Sequence, residues 1–178
     1  ASRAGFDFSL DQARRWDAVI QLSSWGHPQA EELARLEAER DRSYNGRHRA
    51  IAADAARPDQ EIKQHWLEIF QQPESSLPFP SQRSAMAELF PANQVVLQTG
   101  LLGEILDPLP QMSGTRDPYF LHSYAQHLLA ASCRPEAVEK ISDLLADAKR
   151  LGPTVRKDLL AARQETERCL ALSVDSGP

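Results

Sequence analysis

Apolar residues recur along this chain at spacings of three and four, and prolines and glycines cut that pattern into segments, so the sequence predicts a succession of amphipathic helices. Trp16, Val19, Ile20 and Leu22 mark a first helix, from an N-cap at Ser9 to a stop at Gly26. Leu33 and Leu36 mark a second, opening at Pro28 and closing at the turn-forming Ser43-Tyr44-Asn45-Gly46. Arg47 to Ala56 make a third, whose alanines suit a close neighbour. Pro58 opens a fourth, with Ile62, Trp66, Ile69 and Phe70 inward, and the prolines and serines between Pro73 and Pro80 predict a loop. Ser81 caps a short helix through Ala85, Met86, Leu89 and Phe90, which Pro91 breaks. Val95 to Leu106 reads as one helix, with Gly100 and Gly103 as close-packing contacts. Pro108 and Pro110 close it, and Ser113-Gly114-Thr115 is a loop. Asp117-Pro118 is a cap followed by a first-turn proline, which starts a helix from Tyr119 to Ser132. Pro135 opens the next, ending near Gly152, and Pro153 starts the last, carrying Val155, Leu159, Leu160, Cys169 and Leu170.

The pattern amounts to about eight helices in antiparallel pairs, recurring every 35 to 45 residues or so, a period typical of HEAT-like and armadillo-like arrays. The expected fold is therefore all-α, a superhelical solenoid in which each pair buries its stripe against the next and one face is concave. A compact helical bundle is the competing architecture. Residues 9–172 form the repeat domain, residues 1–8 a linker or cut edge, and residues 173–178 a frayed end.

Composition supports the helices. Apolar residues are 42% of the chain and aromatics only 7%, while alternating β-branched runs are absent. A net charge of −5, with basic residues scattered, disfavours nucleic acid as a partner. No apolar run approaches the roughly 20 residues that span a bilayer, so a soluble, cytoplasmic protein without membrane partners is expected. Cys133 and Cys169 are too few for a disulfide framework and read as ordinary helix-face thiols in a reducing compartment.

No catalytic or metal-binding residue emerges from the spacing. His122 and His127 lie five apart, which a helix turns well away from each other, and a zinc pair needs HExxH. The flanks of Cys133 resemble no nucleophile motif, and Gly100-Leu101-Leu102-Gly103 lacks the Lys-Ser/Thr ending of a phosphate loop. Arg83 stands out as a cation in a helix's first turn, where it opposes the macrodipole and calls for a carboxylate partner, within the domain or on a substrate. Tyr119, near a helix start and beside a loop, can offer its phenol to a cavity. Both are substrate-cavity candidates. Trp16 and Trp66 suit the core, whereas Trp25, beside Gly26, is a docking-surface candidate.

Several landmarks occur in order: Glu39-Arg40-Asp41-Arg42-Ser43 with Gly46-Arg47; Ala55-Ala56-Arg57-Pro58 with Lys63 and Trp66; Leu77-Pro78 before Arg83, Ala85 and Met86; Leu89-Phe90-Pro91 with Gln94; and Leu109-Pro110 before Arg116. In this the chain resembles, over roughly Asp11 to Leu172, the C-terminal helical-repeat domain of bacterial aminopeptidase N-like zinc metallopeptidases. The resemblance implies a helical cap over the active-site chamber, partnered by an upstream catalytic domain of the same polypeptide and by peptide substrates. The zinc and its ligands, in the family's GxMEN and HExxH motifs, would lie in that parent. Neither motif occurs here, so the resemblance implies no catalytic residue, metal or cofactor in this chain. The match past Gly152 is loose. A free-standing HEAT-like protein-binding scaffold is the alternative.

Overall fold

In the computed structural model, which describes residues 10–129 and 132–174, every regular element is helical and no strand occurs among the described residues. The α-helices are α1 (Gln12–Ser24), α2 (Ala30–Arg40), α3 (Tyr44–Ala55), α4 (Gln60–Gln71), α5 (Phe79–Leu89), α6 (Val95–Gly100), α7 (Leu102–Leu106), α8 (Leu109–Thr115), α9 (Pro118–Leu128), α10 (Pro135–Ala146) and α11 (Pro153–Val174).

Short polar side chains start many of them. Asp11 accepts from Arg14 N, Ser43 from Gly46 N, Asp59 from Glu61 N and Ile62 N, and Asp117 from Tyr119 N and Phe120 N. The Asp117 cap was legible in the sequence. The expected Ser9 cap lies outside the described residues, and Asp11 does that work for α1. Ser43-Tyr44-Asn45-Gly46 is not a turn after a helix but the cap and first turn of α3. Likewise Ser81 is buried inside α5, which begins at Phe79 with Pro80 in its first turn.

The largest departure is at 95–115. The single helix expected there is broken at Leu101 into α6 and α7, and the loop expected at 113–115 is the end of α8, which Pro110 helps to start. Gly100 and Gly103 are not close-packing contacts. A β-carbon at Gly100 would meet nothing within 4 Å, and at Gly103 only the far ends of Lys140 and Asp107 side chains. They weaken the helix where it breaks. At the other end of the chain α11 includes Ser173 and Val174, expected to be frayed, and residues 175–178 lie outside the described set.

Packing follows a simple order. α1 lies against α3, α3 against α5, α5 against α9 and α9 against α11, while α2 bridges α1 and α3, α4 bridges α3 and α5, and α10 touches α7 and α11. Apolar burial is divided accordingly. One cluster joins Trp16, Val19 and Ile20 of α1 to Ala52, Ala53 and Ala56, with Leu33 and Ala34 of α2 against it. A larger cluster runs from Ala55 and Leu67 through Met86, Ile105 and Tyr124 to Leu159. The small side chains of α3 let its neighbours approach closely on both sides.

Cys133 and Cys169 are joined in a disulfide, their Cα atoms 5.2 Å apart, which corrects the expectation of separate thiols. Spacing hid the pair because 36 residues separate the cysteines along the chain. The α10–α11 hairpin folds the chain back and brings Cys169, near the end of α11, beside the residues that precede α10.

Candidate functional site

A groove runs over the outer face of α5. Pro80, Arg83, Ser84 and Ala87 fall at spacings of three, one and three, so they share one stripe of that helix. Ser84 and Ala87 are small, and the space they leave belongs to two adjoining clefts. One, of about 760 Å³, lies between α5, α3 and the start of α1, and includes Trp16, Asp41, Asn45, His48, Arg49 and Glu88. The other, of about 420 Å³, lies between α5 and α9, and includes Phe79, Arg83, Tyr119 and His127. Ser84 and Ala87 line both, so the two clefts meet along this stripe of α5.

Polar groups line it in an ordered way. The Trp16 indole N–H donates to Asp41 Oδ2 at 2.9 Å, and Ser43 N donates to Asp41 Oδ1 at 3.1 Å. Hydrogen bonds from Ser43, Gln12 and Trp16 hold the Asp41 carboxyl well below the usual carboxylate range. Arg49 pairs with Asp17 at 2.9 Å on the rim. Glu88 is shifted upward by burial, against the attraction of Arg49 and with some repulsion from Asp17. His127 is shifted downward by burial, then by the nearby Arg83 and His122.

His48 and Ser84 meet across the groove, with Nδ1 3.0 Å from Ser84 Oγ and 3.2 Å from the Pro80 carbonyl. Ser84 Oγ donates its own proton to that carbonyl at 3.0 Å. His48 Nδ1 thus sits within hydrogen-bond reach of both the Ser84 hydroxyl and the Pro80 carbonyl. The pair acts as a brace between α3 and α5.

The structure brings together two of the three residues singled out in the sequence. Arg83 Nη1 donates to Tyr119 Oη at 3.3 Å, and its guanidinium sits 5.9 Å from the Tyr119 ring centre. Within the chain the partner of Arg83 is thus a phenol, not the expected carboxylate. Because α5 starts at Phe79, Arg83 also lies beyond the first turn, and the macrodipole conflict largely disappears. Trp25 is 67% exposed at the opposite end of α1 and has no part in the groove. His122 is apart as well, its Nδ1 3.1 Å from both carboxylate oxygens of Asp158 on α11. Among the described residues no group of three or more His, Cys, Asp or Glu is placed to hold a metal ion.

Sequence reasoning missed a second set of polar residues, which tie helix ends together. Lys63 is fully buried, and its Nζ donates to the Ala55 carbonyl at the end of α3 at 2.6 Å, with the Phe90 ring 5.8 Å away. Gln94 Nε2 donates to Ser24 O at 2.8 Å and Ala56 O at 2.7 Å, so one amide serves the last carbonyls of α1 and α3. Gln98 Nε2 donates to Leu128 O at the end of α9. Arg116 donates to Phe70 O in the last turn of α4 and to Pro73 O just beyond it, while its guanidinium lies 4.0 Å from the centre of the Phe120 ring. Trp66 Nε1 donates to Asp54 Oδ2 at 3.0 Å. Helix C-termini carry unpaired carbonyls and partial negative charge, which is why lysine, arginine and glutamine recur there. The ordered landmarks Asp41, Lys63, Trp66, Gln94 and Arg116 were the available signal: all are joints between helices.

The chain matches no protein-family model, and no curated protein matches it significantly.

Proposed function

We propose that this chain is the C-terminal helical domain of a zinc aminopeptidase, capping the chamber of an upstream catalytic domain and holding the distal part of peptide substrates. The observation that carries this reading is the groove over α5, where Arg83 and Tyr119, singled out on separate sequence grounds, face each other. The ordered landmarks that resemble the family support it, since they are the joints that give the helical layers their shape. The succession α1, α3, α5, α9, α11, with α2, α4 and α10 bridging it, supports the HEAT-like solenoid as the form of that cap.

The groove's chemistry suits an extended peptide. His48, Asn45, Arg83 and Tyr119 offer hydrogen bonds to a main chain, and Ala52, Ala87 and Phe79 offer short apolar contacts. Bond cleavage would belong to the zinc and the GxMEN and HExxH residues of the parent, leaving this part to govern peptide length and residence. A cytoplasmic location loses its sequence ground, because the free thiols that suggested it are paired.

Two measurements test the proposal. The open frame upstream of Ala1 should encode GxMEN and HExxH; a start codon there instead would favour the free-standing scaffold. Aminoacyl-arylamide hydrolysis should be absent from this chain alone and present, and chelator-sensitive, in the longer protein. Chelator-sensitive hydrolysis by the chain itself would overturn the assignment.

A further inference from the structure

We infer that the Cys133–Cys169 disulfide is a redox-operated latch, which holds the distal half of α11 against the start of α10 and releases it on reduction by a dithiol. The burial pattern of α11 is the first support. Its buried apolar residues, Val155 and Leu159, lie in its first two turns, Thr166 is the last buried residue, and none of the described residues beyond it is buried. The covalent bond at Cys169 ties this weakly buried end to the residues that precede α10. Access is the second. Both cysteines are half-buried, so a small thiol can reach the pair.

Backbone conformation is the third. Cys133 has φ of +50°, and it is the only non-glycine residue with positive φ among those described. A side chain bearing a β-carbon disfavours that region, and a bond that holds it there opposes the relaxation that follows opening.

In the opening step a thiolate of the dithiol attacks one cysteine sulfur, the S–S bond breaks and a mixed disulfide forms. The second reagent thiol then displaces the cysteine. The dithiol is oxidised to a disulfide, and two electrons and two protons end on Cys133 and Cys169. The latch works in the same way whether or not the chain belongs to a peptidase.

The test uses the full chain with dithiothreitol as the probe. Alkylation under denaturing conditions should label no cysteine in air-oxidised protein and both after dithiothreitol. Hydrogen exchange of residues 162–174 should become about tenfold faster on reduction, while residues 44–55 keep their protection. A C133A/C169A double variant should show the faster exchange without dithiothreitol and no further response to it. Full labelling of the air-oxidised protein would overturn the latch, as would equal exchange of 162–174 in the two states of the wild-type chain. Loss of protection at residues 44–55 together with 162–174 would also overturn it, since release would then be global.

Discussion

At Gly46 the space a β-carbon would fill is already taken by the carbonyl and carboxylate of Asp41, so backbone and side chain of one landmark rest directly on another. We predict that Gly46→Ala lowers stability by about 2–4 kcal/mol, because the obstruction is backbone that cannot swing away. Urea denaturation checks this, and a midpoint equal to wild type would contradict the crowding. Lys63 gives a prediction of a different kind. Burial lowers its ammonium to about 7, with the attraction of Asp54 and Asp59 opposing that shift. The unfolded chain then binds more protons than the folded one between pH 7 and the ordinary lysine value near 10.5, so stability rises with pH across that window and is flat below it. The slope contributed is at most about 1.4 kcal/mol per pH unit. Lys63→Met should remove it, whatever constant offset the lost Ala55 contact adds, and melting temperatures from pH 7 to 10 would show whether the slopes differ.

At the scale of elements, the helices are held less by propensity than by what closes their ends. α6 and α7 are too short to persist alone, and α3 has little amphipathic contrast because small residues face both neighbours. Their ends are fixed by side chains from distant elements, such as Gln94 on the carbonyls of Ser24 and Ala56. Gln94→Ala should cost about 1–3 kcal/mol, since at least one buried carbonyl loses its donor, and equilibrium unfolding measures it. Asn93 Nδ2 also reaches Ser24 O at 2.9 Å and softens part of the loss. Starting caps were partly legible in the sequence, because a cap and its helix are neighbours in the chain. Closing contacts were not, because Arg116 and Phe70 are 46 residues apart.

For the whole molecule, the groove over α5 is where the proposed function can be tested. Its floor depends on Ser84 and Ala87 being small. In the proposed parent aminopeptidase, Ala87→Trp should fill the space where the two clefts meet. If the groove holds the far end of peptides, KM for long peptides rises about fivefold or more, while kcat/KM for a short arylamide stays within error. An equal loss on both substrates would point instead to disturbance of the catalytic domain. Because Ala87 is exposed, the variant has no buried neighbour to displace, and its own melting curve provides the control.

The sequence alone determined that the chain is helical, where many of the helices lie, and which apolar stripes turn inward, since these follow from periodicity and from proline, glycine and cap residues read over a few turns. It also marked Asp41, Lys63, Gln94 and Arg116, but as landmarks without a role. Only the tertiary structure decided what they do, joined Cys133 to Cys169, split the 95–115 stretch, and set Arg83 against Tyr119. Each of those outcomes depends on contacts between residues far apart in the chain, whose distance is fixed by how the helices stack and not by any local preference.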